Sequence, residues 1–148
     1  MLVETIDQDI KKAMLAKDDV RLRGLRAVKS ALLVARTEKG ASDMISEETE
    51  LKVLQKLIKQ RKESAEIYQA QNRDDLYQIE KEEMQVIEAY LPQQMSREEI
   101  TAYLQEMMKR VGAISVKDMG KVMGTANKEL AGKADGKTIS EIVKQLLQ

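Results

Sequence analysis

Two charged residues interrupt the apolar stripes of the sequence. Arg61 falls between Ile58 and Ala65, and Glu83 falls among Ile79, Val86 and Ile87. A charge at such a position needs a partner, because an unpaired charge out of water is costly. If the segments that carry them fold back about residue 72, Tyr68 faces Leu76, Ala65 faces Ile79, and Arg61 faces Glu83. A guanidinium–carboxylate pair then satisfies both groups. Two roles fit such a pair: a structural ion pair that fixes hairpin register, or one wall of a polar pocket for a small ligand.

A second constellation lies near the C-terminus. At 100° per residue, Lys117, Lys121 and Lys128 fall within a sector of ~40°. Gly120, Gly124 and Ala131 lie beside them, while Met119, Val122, Met123, Ala126 and Leu130 take the opposite side. Each glycine costs roughly 1 kcal/mol against alanine inside an exposed helix. A face this bare lets something approach the backbone, either a second helix or a phosphate backbone held between lysines.

The third constellation is Gly132-Lys133-Ala134-Asp135-Gly136-Lys137. Free N–H groups at a helix start can receive an anion. A helix–turn–helix joint with an Asp cap is the other reading. Although Gly136-Lys137-Thr138 matches the tail of a Walker loop, the two glycines stand one residue too close and no strand precedes them, which argues against nucleotide hydrolysis. The candidates for nucleic-acid contact are therefore Lys117, Lys121, Lys128, Lys133 and Lys137, with Gly120, Gly124 and Gly136.

Other chemistries are excluded by composition. The 148 residues include no His, Cys, Phe or Trp. Cys/His zinc sites, thiolate nucleophiles and His-based triads are therefore ruled out. No paired-carboxylate site or EF-hand-type loop stands out, so no metal, cofactor or catalytic residue is expected. With tyrosine as the only aromatic, a stacking platform for single strands is disfavoured. A chain without disulfides suits a reducing compartment, and the expected location is cytoplasmic. No apolar run nears the ~20 residues of a membrane span, and the charged first residues do not read as a signal peptide.

The elements that must position these groups read as helix after helix, with apolar residues recurring at three and four. The first helix covers about 2–16. The second starts near Asp18 or Asp19 and stops at Gly40. The third is capped by Ser46 and carries Leu51, Leu54, Ile58, Arg61, Ala65 and Tyr68. The fourth starts around 72–74 and ends at Leu91-Pro92, where the residue before proline disfavours the helical well. Ser96-Arg97-Glu98-Glu99 is a capping box that opens a fifth helix, closed by Gly112. Ser115 to Asp118 opens a sixth that ends at Gly132, and a seventh follows Asp135-Gly136. The expectation is an all-α protein with an N-terminal domain of about four helices over 1–92 and a small three-helix domain over 93–148. Net charge is zero, but residues 1–90 hold 16 basic and 18 acidic side chains and residues 91–148 hold 9 and 7.

In order, Ile58 to Ser64, Tyr68, Arg73-Asp74-Asp75-Leu76, Glu80 and Glu83, Tyr90-Leu91-Pro92-Gln93-Gln94, Asp118 to Met123, and Ala134-Asp135-Gly136-Lys137 resemble the GatB/YqeY family. Members are small free-standing proteins similar to the C-terminal region of the B subunit of the tRNA-dependent amidotransferase. The resemblance implies an all-α fold with a helical tail region associated with tRNA binding. It also implies association with glutamine-dependent carbon–nitrogen ligase activity, whose chemistry resides in other domains and subunits. Here the tail motif falls on Gly120, Lys121, Ala134, Asp135, Gly136 and Lys137. The reading is a tRNA-binding or tRNA-associated accessory module without its own catalytic centre. Its alternatives are an adaptor that docks on a protein of the translation or amidotransferase machinery through a helical face and, behind that, an amide ligase.

Overall fold

The structure, a computed structural model, describes residues 1–38 and 44–148. The described residues form seven α-helices and one 3-10 turn, with no strand among them. The fold is all-α, as the periodicity implies. The chain divides into two compact units, Met1–Leu91 and Pro92–Gln148.

The first unit holds α1 (Leu2–Leu15), α2 (Asp19–Glu38), α3 (Glu47–Ala70) and α4 (Asp74–Glu88). Its core is Ile6, Ala13, Leu25, Val28, Leu32, Ile45, Leu54 and Ile87. Local chemistry sets the helix ends. Asp18 accepts the Arg21 N–H at the start of α2, and the Ser46 hydroxyl accepts the Thr49 N–H at the start of α3. The expected stop of α2 at Gly40 lies outside the described residues. Between α3 and α4 the chain reverses at Asn72, whose φ of 57° lies in the left-handed well that asparagine tolerates. The Arg73 N–H closes the turn on the Tyr68 carbonyl at 2.9 Å.

Two features of this unit escape the apolar pattern. Glu50 is buried on α3, and its carboxylate accepts the Leu2 N–H at 3.0 Å. It therefore supplies the orphan N-terminal donor of α1 with a charged acceptor from another helix. Gly24 marks the crossing of α2 and α4, since a Cβ placed there would stand 2.8 Å from Val86 Cβ. Conversely Ile79, set on the apolar stripe of α4, is 39% exposed.

The second unit holds α5 (Arg97–Val111), a 3-10 turn (Val116–Asp118), α6 (Met119–Glu129) and α7 (Gly136–Leu147). The capping box forms as read: Ser96 accepts the Glu99 N–H, and Glu99 accepts the Ser96 N–H. Gly112 ends α5 at φ 73°. Ile100, Leu104, Met107, Val122, Ala126, Leu130, Ile139, Ile142 and Val143 make the core. The segment before α5 is tied to the α6–α7 loop, with the Met95 N–H on the Lys133 carbonyl at 2.9 Å and the Gln94 amide on the Gly132 carbonyl at 2.6 Å.

One boundary moves. The box of Ser115 and Asp118 forms, but it closes the 3-10 turn, and α6 begins only at Met119. Lys117 therefore lies outside α6, and the 100° projection that put it in register with Lys121 and Lys128 does not hold across that junction.

Candidate functional site

Five lysines were singled out in the second unit. Lys117, Lys121, Lys128, Lys133 and Lys137 are all exposed. Lys121 and Lys128 share one face of α6, seven residues and roughly 10 Å apart along the axis. Lys117 sits in the 3-10 turn before α6, Lys133 in the loop after it, and Lys137 in the first turn of α7. Within reach of the Lys121 ammonium is the Val111 carbonyl, 3.2 Å away, so this side chain also closes the C-terminal end of α5.

The glycines on that face are bare. A Cβ built on Gly120 or Gly124 would meet no atom within 4 Å. Packing against another helix of the second unit is thus not what the two glycines serve. The methionines of α5 and α6 are accounted for: Met107 and Met108 of α5 are buried in the core, and Met119 and Met123 of α6 pack against it.

The start of α7 differs from an open anion cradle. The Asp135 carboxylate accepts the Thr138 N–H at 2.7 Å and the Thr138 hydroxyl at 3.1 Å. The protein's own anion thus fills the position at the α7 N-terminus, as in the capped-joint reading. Gly136 packs near Asn127 of α6, whose Oδ1 would lie 3.9 Å from an added Cβ. Gly136 and Lys137 therefore flank the α6 face without forming a phosphate loop.

The acids of this unit are largely engaged. Glu129 accepts from Arg110 at 2.9 Å and Tyr103 at 2.8 Å, and these two donors, Arg110 first, hold its carboxyl below the usual range. Asp118 is held low by the backbone N–H groups of Ile114 and Ser115. Glu141 pairs with Arg97, Glu99 closes the capping box and Asp135 caps α7. Among the described residues no ion pair involves Lys117, Lys121, Lys128, Lys133 or Lys137. Of these lysines Lys121 acts on the Asp118 carboxylate from beyond ion-pair distance, and the rest of the positive charge has no close acid against it.

In the first unit the structure brings Arg61 and Glu83 together, with Nε 2.8 Å from Oε2 and both side chains largely buried. The pair is larger than the sequence reading held. Arg23 of α2 donates to the other Glu83 oxygen at 2.9 Å and to Glu82 at 3.2 Å. Glu83 thus joins α2, α3 and α4. Arg23 gave no sequence signal, because it lies on an exposed-looking face of a basic helix. Glu80 stands beside the cluster. Burial raises its carboxyl above the usual range, repulsion from Glu83 adds to this, and Arg61 and Arg23 oppose it.

Two clefts open on this unit. One of about 270 Å³ is lined by Arg21, Glu82, Gln85 and Tyr90, among others. The other, about 500 Å³, is lined by Thr5, Glu47, Glu50 and Tyr90, among others. Neither Arg61 nor Glu83 lines either one. Among the described residues no group of three or more acidic side chains could hold a metal ion, and no helix is long and apolar enough to cross a membrane.

Fold and surface together define an all-helical protein of two units, the second of which carries unpaired lysines along an open helix. The family model described as Yqey-like protein matches residues 3–147, and the chain belongs to that family. It is similar to altered inheritance of mitochondria protein 41, mitochondrial, of Clavispora lusitaniae, 34% identical over 72% of this chain and 64% of that protein. The protein of the same name from Vanderwaltozyma polyspora is 32% identical over 77% of this chain and 64% of its own length. That from Saccharomyces cerevisiae strain YJM789 is 32% identical over 93% of this chain and 72% of its own length. The chain thus spans somewhat less than two thirds of the first two relatives. Their names overturn the expectation of a cytoplasmic location, since these relatives are mitochondrial proteins. That expectation rested on the absence of disulfides, and a chain without cysteine carries no mark of its compartment.

Proposed function

We propose that this chain is a tRNA-associated accessory module whose second unit holds the phosphate backbone, with no catalytic centre of its own. One observation carries the reading: the lysines of the α6 face have no ion-pair partners, while most acids around them are bound by arginines, tyrosine or backbone N–H groups. A polyanion then meets net positive charge on a unit whose formal charge is only slightly positive. The glycines leave room for the backbone to come close. Readout is of RNA shape and phosphates, because the chain has few aromatic side chains for base stacking. On this reading the unit acts as the amidotransferase B-subunit tail is expected to act, and any amide chemistry belongs to a partner.

The test is filter binding of tRNA to the full chain across salt. About four phosphate contacts give a loss on the order of 10² in affinity between roughly 50 and 200 mM salt. Replacing Lys128, Lys133 and Lys137 together by Gln lowers the slope by about three. Absence of salt-dependent affinity at low salt overturns the reading.

A second reading, docking on a protein partner, draws on Leu33 and Val34 of α2, which are 43% and 55% exposed. A partner retained from extract after RNase treatment favours it. Both readings expect a background result from a glutaminase assay of the isolated chain.

A further inference from the structure

The loop between α5 and α6 presents two aliphatic side chains to solvent. Ile114 is 88% exposed and Val116 58%. Single exposed aliphatics are ordinary on any surface. Here two stand within three residues, on a backbone held at four of its N–H groups. The Ala113 N–H bonds the Met108 carbonyl at 3.0 Å. The Ile114 and Ser115 N–H groups both donate to the Asp118 carboxylate, at 2.9 and 3.2 Å. The Asp118 N–H returns to the Ser115 carbonyl at 2.9 Å. Lys121 closes the Val111 carbonyl behind them. The loop thus holds its apolar tip in a fixed place, so ordering it on binding costs little entropy.

The charges around the tip indicate what would cover it. Lys117 follows Val116 directly and has no ion pair; Lys121 lies close enough to stabilise the Asp118 carboxylate. Lys121, whose ammonium reaches back to the Val111 carbonyl at the foot of this loop, and Lys128 share one face of α6 beside Gly120 and Gly124. A linear polyanion that follows Lys128 and Lys121 is led to the foot of the loop that carries Ile114 and Val116. A flat lipid surface would have no use for the bare trough between the lysines.

We propose that Ile114 and Val116 form an apolar contact for an unpaired nucleotide of the RNA whose phosphates follow Lys117, Lys121 and Lys128. The proposal rests on the RNA-binding reading and adds to it a preference for an unpaired end. Aliphatic side chains do contact base faces in other nucleic-acid complexes, where they insert between the steps of a duplex.

The experiment uses the full chain and two RNA hairpins that differ only in an unpaired tail. The wild type binds the tailed hairpin about tenfold more tightly, the fold-change that roughly accompanies burial of one such side chain. In Ile114→Ser/Val116→Ser that preference is lost and the salt slope is unchanged. Lys128→Gln does the reverse, lowering the slope by about one and keeping the preference. Ile114→Ala, checked by thermal melting against the wild type, guards against a folding effect. Equal binding of the two hairpins by the wild type, or an undiminished preference in the serine variant, overturns the proposal and leaves the lysine reading standing. Wild-type binding to phosphatidylserine vesicles that the serine variant loses, with RNA preference intact, assigns the tip to a membrane and also overturns it. Salt-independent or absent binding of both hairpins removes the lysine reading and the proposal together.

Discussion

Glu83 and Glu80 lie three residues apart on α4 beside the same arginines, yet they act on the fold in opposite directions. Glu83 takes Arg61 and Arg23 on its two oxygens. Removing it leaves a largely buried guanidinium without its partner. Glu83→Gln is therefore expected to cost about 2–3 kcal/mol, below the range for fully buried pairs because part of the cluster is wet. Glu80 is a carboxyl whose folded value is raised by burial and then by Glu83. For a raised acid, the stabilising contribution is fully present below the unfolded value and is lost as pH rises through the folded one. Ionised Glu80 thus weakens the fold at neutral pH. Glu80→Gln should raise the melting temperature at pH 7 and converge on the wild type in acid. Thermal melts at pH 7 give shifts of opposite sign for the two variants, and at pH 4 the Glu80→Gln shift disappears. Arg61 and Glu83 could be read from sequence because each breaks an apolar stripe and one hinge position aligns them. Arg23 could not, since it breaks nothing, and only the crossing of α2 over α4 brings it within reach.

At the scale of elements, caps and periods were legible and, outside the α3–α4 hairpin, contacts between helices were not. Ser46, Ser96, Gly112 and Asp135 mark helix ends by local chemistry, and each does so in the structure. Gly24 looks like a flaw in α2 until Val86 is placed against it. Of the three Val86 atoms in contact, the Cβ at 2.8 Å is fixed by the backbone and cannot swing aside. Gly24→Ala gains up to about 1 kcal/mol in helix propensity but loses about 1–3 kcal/mol to overpacking. The expected outcome is a net destabilisation of about 1–2 kcal/mol, read from urea unfolding. A stabilised Gly24→Ala would show that α2 and α4 separate freely at this point. The start of α6 was misplaced for a related reason. The Ser115–Asp118 box looks alike in front of an α-helix and around a 3-10 turn, and only the hydrogen bonds tell them apart.

Across the whole molecule, the zero net charge conceals two different arrangements of charge. In the first unit, lysine and arginine pair across helices, as Lys29 does with Asp7 at 2.7 Å and Arg23 with Glu82. Ion pairs in the second unit use Arg97 and Arg110 and leave its lysines out. Composition showed the balance but could not show which charges cancel, because cancellation is a matter of distance. Without His, few groups titrate near neutrality. Affinity for tRNA should therefore stay within about twofold between pH 6 and pH 8 at fixed salt. A steeper pH profile in filter binding would place a titrating group in the interface that the lysine row does not contain.

Gly120 and Gly124 have a further effect on time rather than space. A helix of 11 residues with two glycines inside it is short and entropically expensive to keep wound. Its backbone hydrogen bonds should open more readily than those of α5 or α7, and its amides should exchange sooner with solvent. Any ligand that prefers the wound form also tightens it, by mass action. The α6 helix is thus both the surface for contact and the gauge of it: occupancy would be legible as slowed amide exchange along residues 119–129, whatever the ligand turns out to be.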